Sequence, residues 1–175
     1  MKYSDCPTVT ASIDIDASAA KVWELVSDIG LSARFSTEVS GAEWIDGADG
    51  AALDARFVGS SAHEAIGEWS TTCIVTGYED EGVFEWSVIG RDGDVSSIWR
   101  YTIVDHGDGS VRLDYWFQMG PGRGGLNSAI ERMPDKEERI VARRLDEHRS
   151  NMERMVFGVK QLAESGESES RESDS

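Results

Sequence analysis

The chain has 175 residues, enough for one domain with a single core, and its 39% apolar content with six tryptophans is typical of a globular protein. Acidic residues outnumber basic ones by 33 to 17, and the net charge of −16 would repel phosphate backbones, so we expect no nucleic-acid partner. The N-terminus shows no signal-peptide pattern and no apolar run approaches the ~18 residues of a membrane span, so we expect a cytoplasmic protein without stable membrane insertion.

The first elements are a strand and two short helices. Residues 8–16 alternate between apolar and polar side chains, which predicts a strand with one buried face. Ser18 can cap a helix whose apolar residues recur at helical spacing up to Ile29. Gly30 ends that helix, and residues 31–35 predict a second short one.

Six further strands follow, separated by turns rich in glycine and aspartate, and together they predict an antiparallel meander. The predicted strands span residues 39–45, 52–59, 67–78, 83–89, 96–105 and 110–119. In the second of them we expect Leu53, Ala55 and Phe57 to point inward.

The last hairpin tests which side chains share a face. A three-residue loop over residues 107–109 would align Tyr101 with Tyr115, so the aromatic faces coincide. Arg100 would then lie outside, opposite Trp116, in a cation–aromatic contact. A two-residue turn is the alternative, and it would turn Arg100 inward.

The C-terminal part predicts one long helix. Residues 120–136 form a loop with a short helical turn, and a helix follows from Glu137 to about Ala163 with one apolar face that contains His148. Residues 164–175 carry no apolar side chain, so we expect an acidic disordered tail after a single domain over residues 1–163.

These elements predict an α+β fold in which a seven-stranded antiparallel sheet wraps around the C-terminal helix, with the two short helices as a V-shaped support. The order of elements and five segments carry a family resemblance over residues 8–163. They are VWELVSD (22–28), EWSTTCIV (68–75), FEWSV (84–88), SIWRYTI (97–103) and the terminal helix. The chain resembles the START-like helix-grip superfamily (SRPBCC), and within it the bacterial polyketide cyclase/dehydrase and lipid-transport branch.

The resemblance implies a hydrophobic cavity between the sheet and the long helix, with a small hydrophobic molecule as partner. The predicted ligand-binding residues are Phe57, Trp69, Phe84, Trp86, Trp99, Tyr101, Tyr115, Phe117, Leu145, His148, Met152 and Met155. The alternative is that these side chains form a solid core without a cavity.

His148 is the candidate catalytic residue, because an imidazole on an apolar helix face needs a partner, which the hydroxyl of Tyr101 or Tyr115 could supply. The alternative is a hydrogen-bonded core histidine or one at the helix rim. The leading hypothesis is binding or transport of a lipid, isoprenoid or polyketide-like molecule. The alternatives are a polyketide cyclase/dehydrase-type enzyme using the same cavity, and an interaction module with a vestigial cavity.

Other kinds of site do not fit the sequence. The three histidines and two cysteines show no metal-ligand spacing, so we expect neither a metal nor a cofactor. The chain has no G-x-S-x-G nucleophile motif, and the segment GPGRGG (120–125) lacks the Lys-Ser/Thr of a phosphate-binding loop. The sequence leaves the ligand and the oligomeric state open.

Overall fold

Seven antiparallel strands form a single sheet, as the sequence predicts: the last six follow one another as a meander, and the first strand of the chain pairs with the last. The computed structural model describes the backbone of residues 1–172 and the side chains of residues 1–165. The strands are β1 (Thr8–Ile15), β2 (Val39–Ile45), β3 (Arg56–His63), β4 (Gly67–Glu79), β5 (Val83–Ile89), β6 (Val95–Asp105) and β7 (Val111–Met119). β1 and β2, although neighbours in sequence, lie at opposite edges because β1 pairs with β7.

The structure describes three α-helices and three short 3-10 helices in addition to the sheet. They are α1 (Ala19–Val26), α2 (Asn127–Arg132) and α3 (Glu137–Glu172), with short 3-10 helices at Tyr3–Asp5, Leu31–Arg34 and Pro134–Lys136. Ser18 caps α1 as predicted, since its side chain accepts a hydrogen bond of 3.2 Å from the Lys21 amide. The second short helix after Gly30 is the 3-10 helix Leu31–Arg34.

The register of the last hairpin follows the three-residue loop. Tyr101 is directly opposite Tyr115, and Arg100 is opposite Trp116 on the outer face. The guanidinium carbon of Arg100 lies 4.4 Å from the centroid of the Trp116 ring, so the predicted cation–aromatic contact is confirmed.

The long helix α3 packs mainly against β1, and less extensively against α1 and β7. Its inner residues Val141, Met152 and Val159 are fully buried in the core. Gly158 lies under the ring of Phe35, and a Cβ atom at Gly158 would approach ring carbons of Phe35 to 2.5 Å. This glycine therefore lets the segment after the 3-10 helix Leu31–Arg34 lie close to α3.

Two predicted boundaries were wrong. The strand predicted at 52–59 is β3, which begins only at Arg56 because Asp54 adopts a left-handed backbone with φ of 64° in the preceding turn. Leu53, predicted to point inward, is 59% exposed in that turn. Likewise α3 continues to Glu172 instead of ending near Ala163. The predicted disordered tail stays a prediction, because the side chains after residue 165 and the backbone after residue 172 lie outside the described residues.

No described helix combines the length and the apolar character that crossing a membrane requires.

Candidate functional site

The concave face of the sheet carries a continuous cluster of aromatic rings. Trp86 and Trp99 lie on neighbouring strands with their rings almost parallel, 8° apart, and their centroids 6.4 Å apart. The ring of Phe117 lies 4.3 Å from that of Trp99, and the ring of Phe57 lies 6.1 Å from that of Trp86. Strand alternation places all four rings on one face, because directly paired residues point the same way.

Tyr101 and Tyr115 extend the cluster as a second parallel pair. Their ring centroids are 4.1 Å apart at an interplanar angle of 19°. Burial, followed by the neighbouring Tyr115 phenol, raises the pKa of Tyr101 well above its usual value. Burial also raises the pKa of Tyr115, although its interaction with the Tyr101 hydroxyl lowers it in part. Both phenols are therefore neutral at physiological pH.

His148 faces this cluster from α3. Its imidazole stands edge-on to Trp99 with a centroid distance of 5.2 Å, and lies 4.4 Å from the ring of Phe117. Burial lowers the pKa of His148 to about 3, with smaller contributions from the positive charges of Arg144 and His63. The imidazole is therefore neutral at physiological pH.

The nitrogens of His148 make no hydrogen bond to another described residue, so the expected tyrosine partner is absent there. No nitrogen or oxygen atom of a described side chain is both sealed from solvent and unpartnered. The imidazole is half-buried. Its nitrogens therefore border space that a water molecule can enter.

A cluster of ion pairs, here called the clasp, joins α3 to the rest of the domain and consists of Glu38, His63, Arg144 and Glu147. Arg144 donates from Nη1 to Glu38 Oε2 at 2.9 Å and to Glu147 Oε2 at 3.0 Å, and from Nη2 to Glu38 Oε1. Burial alone would lower the pKa of Arg144, but the hydrogen bonds and charge of Glu38 hold it above its usual value. His63 Nε2 lies 3.4 Å from Glu147 Oε2, which connects α3 to the end of β3.

An open groove of about 1110 Å³ lies beside the clasp, between α3 and the hairpin that joins β3 to β4. Its lining is largely polar and charged, and none of the predicted ligand-binding residues belongs to it. The lining residues are Thr37, Glu38, Ala62, His63, Glu64, Ala65, Gly67, Glu68, Arg143, Glu147, Ser150, Asn151 and Arg154.

Most of the predicted ligand-binding residues lie together. The sheet residues Phe57, Phe84, Trp86, Trp99, Tyr101, Tyr115 and Phe117 and the helix residues Leu145, Met152 and Met155 all belong to the core cluster or pack against it. Trp69 does not: it is half-buried and lies outside the cluster. Strand β5 ends at Ile89, opposite Thr72, so β4 is paired at Trp69 with β3 only.

The sequence analysis missed two tryptophans of the cluster. The ring of Trp44 lies 5.4 Å from that of Phe57, its partner across β2 and β3. The ring of Trp23, on α1, lies 6.4 Å from that of Phe84. The alternation of inward and outward residues along β2 predicts the position of Trp44. The position of Trp23, in contrast, depends on how α1 packs against the sheet.

Small side chains lie next to the aromatic cluster on the same face. Gly59 and Thr71 are paired across β3 and β4. A Cβ atom built on Gly59 would meet only the Thr71 hydroxyl oxygen, at 3.9 Å. Cys73, the next inward residue of β4, is buried, and this burial raises its pKa to about 12. The thiol is therefore protonated and unreactive. No described group of three or more His, Cys, Asp and Glu side chains could hold a metal ion.

The family model described as "Polyketide cyclase / dehydrase and lipid transport" matches residues 7–153. Among curated proteins, none matches the chain. The solution NMR structure of a Polyketide_cyc-like protein from Corynebacterium glutamicum is 25% identical, with a TM-score of 0.61 over 90% of this chain and 91% of that one.

Two further solved structures share the fold. A START superfamily protein from Mycobacterium smegmatis is 16% identical, with a TM-score of 0.56 over 89% of this chain and 98% of that one. The di-domain ARO/CYC StfQ from the steffimycin biosynthetic pathway is 15% identical, with a TM-score of 0.56 over 91% of this chain and 46% of that one.

Proposed function

Since the chain belongs to the polyketide cyclase/dehydrase and lipid transport family, we propose that it binds or carries a small hydrophobic molecule between the concave face of the sheet and α3. The proposed ligand is of the lipid, isoprenoid or polyketide-like kind. Its apolar body would contact the aromatic cluster, and its entry would follow the groove beside the clasp.

One observation carries the proposal. Trp86, Trp99 and His148 keep accessible surface at the middle of the concave face, although the neighbouring Tyr101 and Phe117 are only 3% and 2% exposed. A solid core would bury these three rings as completely as their neighbours. Accessible surface on rings that face each other across the sheet and α3 supports an internal space.

The small residues beside the tryptophans support the same conclusion. Gly59, Thr71 and Ser97 are all half-buried and point to the inner face of the sheet. Among the strands, α3 packs mainly against β1 and less against β7, so its backbone is farther from the strands that carry Gly59 and Thr71. Room for a ligand is therefore proposed over β3 and β4.

Carriage is better supported than catalysis by His148. A general acid or base works best when its pKa lies near the working pH. Burial lowers the pKa of His148 to about 3, so at neutral pH the imidazole is not in its acidic, protonated form and is a weak base. A cyclase/dehydrase enzyme would need to act through positioning of the substrate.

The test uses a matched pair of substitutions on consecutive residues of β4. Thr71 points to the inner face and Thr72 to the outer face, and both are half-buried. A neutral fluorophore, N-phenyl-1-naphthylamine, is titrated into the full-length protein and both variants.

Thr71→Phe fills the proposed space and is expected to weaken binding at least tenfold, whereas Thr72→Phe should change the affinity less than twofold. Equal effects of the two substitutions, or no stoichiometric binding to the unaltered protein, would rule out the proposed cavity.

A further inference from the structure

His148 places a neutral polar group against the proposed ligand space. A neutral imidazole has one N–H donor and one nitrogen acceptor, and neither has a partner among the described side chains. The ring is held edge-on to Trp99 and beside Phe117, so its orientation is fixed by packing. A ligand hydroxyl or carbonyl at this position would complete the hydrogen bonding of His148.

The two cations that act on His148, Arg144 and His63, both contact carboxylates of the clasp. Arg144, four residues before His148 on α3, is shared between the carboxylates of Glu38 and Glu147. His63 lies against Glu147 as well. Glu147 also accepts a hydrogen bond of 3.1 Å from Arg143 Nε, so each carboxylate of the clasp already has a guanidinium partner. A ligand carboxylate at His148 would lose its hydration without gaining an ion pair.

The walls of the proposed space are flat. Trp86 and Trp99, which keep accessible surface and whose ring planes are 8° apart, line this space with flat aromatic rings. Stacking and edge-to-face contacts on such surfaces favour a planar ligand.

We infer that the site selects its ligand by charge: it accepts a planar molecule whose polar group beside α3 is an uncharged hydroxyl or carbonyl bound to His148, and it rejects the ionised equivalent. This inference rests on the proposed function, because it needs a ligand between the sheet and α3. It adds His148 as the residue that determines specificity.

The experiment compares three probes that share one ring system. Naphthalene, 2-naphthol and 2-naphthoate displace N-phenyl-1-naphthylamine from the full-length protein at pH 7, where only 2-naphthoate is ionised. We expect 2-naphthol to bind about fivefold more tightly than naphthalene, the effect of one net hydrogen bond. We expect 2-naphthoate to bind at least tenfold more weakly than 2-naphthol.

Two variants of similar side-chain volume assign the effect to His148. His148→Leu removes the hydrogen-bonding group, so naphthalene should then bind as tightly as 2-naphthol or more tightly. His148→Gln keeps a donor and an acceptor and should retain part of the preference for 2-naphthol. Thermal unfolding of both variants verifies that they are folded, and the comparison of probes on the unaltered protein does not depend on them.

The outcomes separate this inference from the proposed function. If naphthalene binds but 2-naphthoate binds as tightly as 2-naphthol, or 2-naphthol binds more weakly than naphthalene, the selection by charge is wrong and the cavity stands. If neither the fluorophore nor naphthalene binds, the proposed function is wrong and this inference falls with it.

Discussion

Arg144 and Glu38 form a bidentate ion pair that joins the N-terminal part of α3 to the segment before β2, and their side chains are only 10% and 11% exposed. Both terminal nitrogens of the guanidinium engage the two carboxylate oxygens. Such bidentate pairs fix the relative orientation of the two side chains in addition to pairing their charges. The clasp therefore holds α3 across the sheet on the side away from its main contacts with β1.

Breaking this pair is expected to destabilise the fold. Arg144→Ala leaves Glu38 with a carboxylate that is largely removed from water and has lost its main partner, so the free energy of unfolding should fall by about 3–5 kcal/mol. Arg139→Ala, on an exposed position of the same helix, serves as the control and should change stability by less than about 0.5 kcal/mol. Urea unfolding measures both. A loss below about 1 kcal/mol for Arg144→Ala would show that the pair is not important for stability.

Stability should depend on pH through His148. Its pKa is about 3 in the folded protein, whereas the ordinary value, which applies to the unfolded chain, is 6.5. Between these two pH values the unfolded chain therefore binds a proton that the folded protein does not bind. The free energy of unfolding is therefore not reduced by His148 above about pH 6.5, and it decreases as the pH falls from there towards 3.

Between pH 7 and pH 5 the loss should be about 2 kcal/mol. His148→Gln lacks the titrating group, so urea unfolding of this variant should show a pH dependence smaller by that amount. The same pH dependence in both proteins would mean that His148 titrates normally.

Gly158 should be intolerant of a methyl group despite its helical position. Alanine favours an exposed helix by up to about 1 kcal/mol over glycine. At Gly158, however, the new Cβ would lie 2.5 Å from ring carbons of Phe35. Gly158→Ala is therefore expected to lower the melting temperature, with a cost of about 1–3 kcal/mol. The double variant Gly158→Ala/Phe35→Leu should recover part of this loss; no recovery would place the strain elsewhere.

Sequence patterns predicted the sheet well because strand alternation and turn residues are local signals. The hairpin around residues 107–109 illustrates this: the requirement that Tyr101 and Tyr115 share a face selected the correct register. The same alternation failed at Leu53, where the left-handed backbone of Asp54 interrupts an otherwise strand-like pattern. The family predicted from the five segments was confirmed by the match over residues 7–153.

The candidate site was predictable only in part. Residues of the inner face, such as Trp86 and Trp99, follow from strand period alone. The clasp does not, because Glu38 and Arg144 lie 106 positions apart and meet only through the tertiary fold. His63 and Glu147 meet in the same way. The charges next to Arg144 on α3 have mixed signs, which is typical of an exposed helix face, whereas Arg144 is only 9% exposed.

Tryptophan fluorescence should distinguish Trp69 from Trp99, which were both predicted from the sequence to bind the ligand. Trp99 belongs to the aromatic cluster at the proposed space, whereas Trp69 lies outside it. A bound quencher such as 2-naphthol should therefore quench the unaltered protein and the Trp69→Phe variant to a similar extent. Trp99→Phe should lose much of the quenching while thermal unfolding remains cooperative. If Trp69→Phe loses more of the quenching than Trp99→Phe does, the ligand lies near Trp69, at the end of β4 that is not paired with β5.

The position of a bound molecule tests the central claim most directly. Intermolecular nuclear Overhauser effects between naphthalene and isotope-labelled full-length protein report which side chains touch the ligand. A ligand held between the sheet and α3 predicts contacts from naphthalene to Trp86, Trp99 and His148, and none to Trp116 on the outer face. Contacts confined to Trp116, or none to the three inner residues at saturating naphthalene, would contradict an internal binding site.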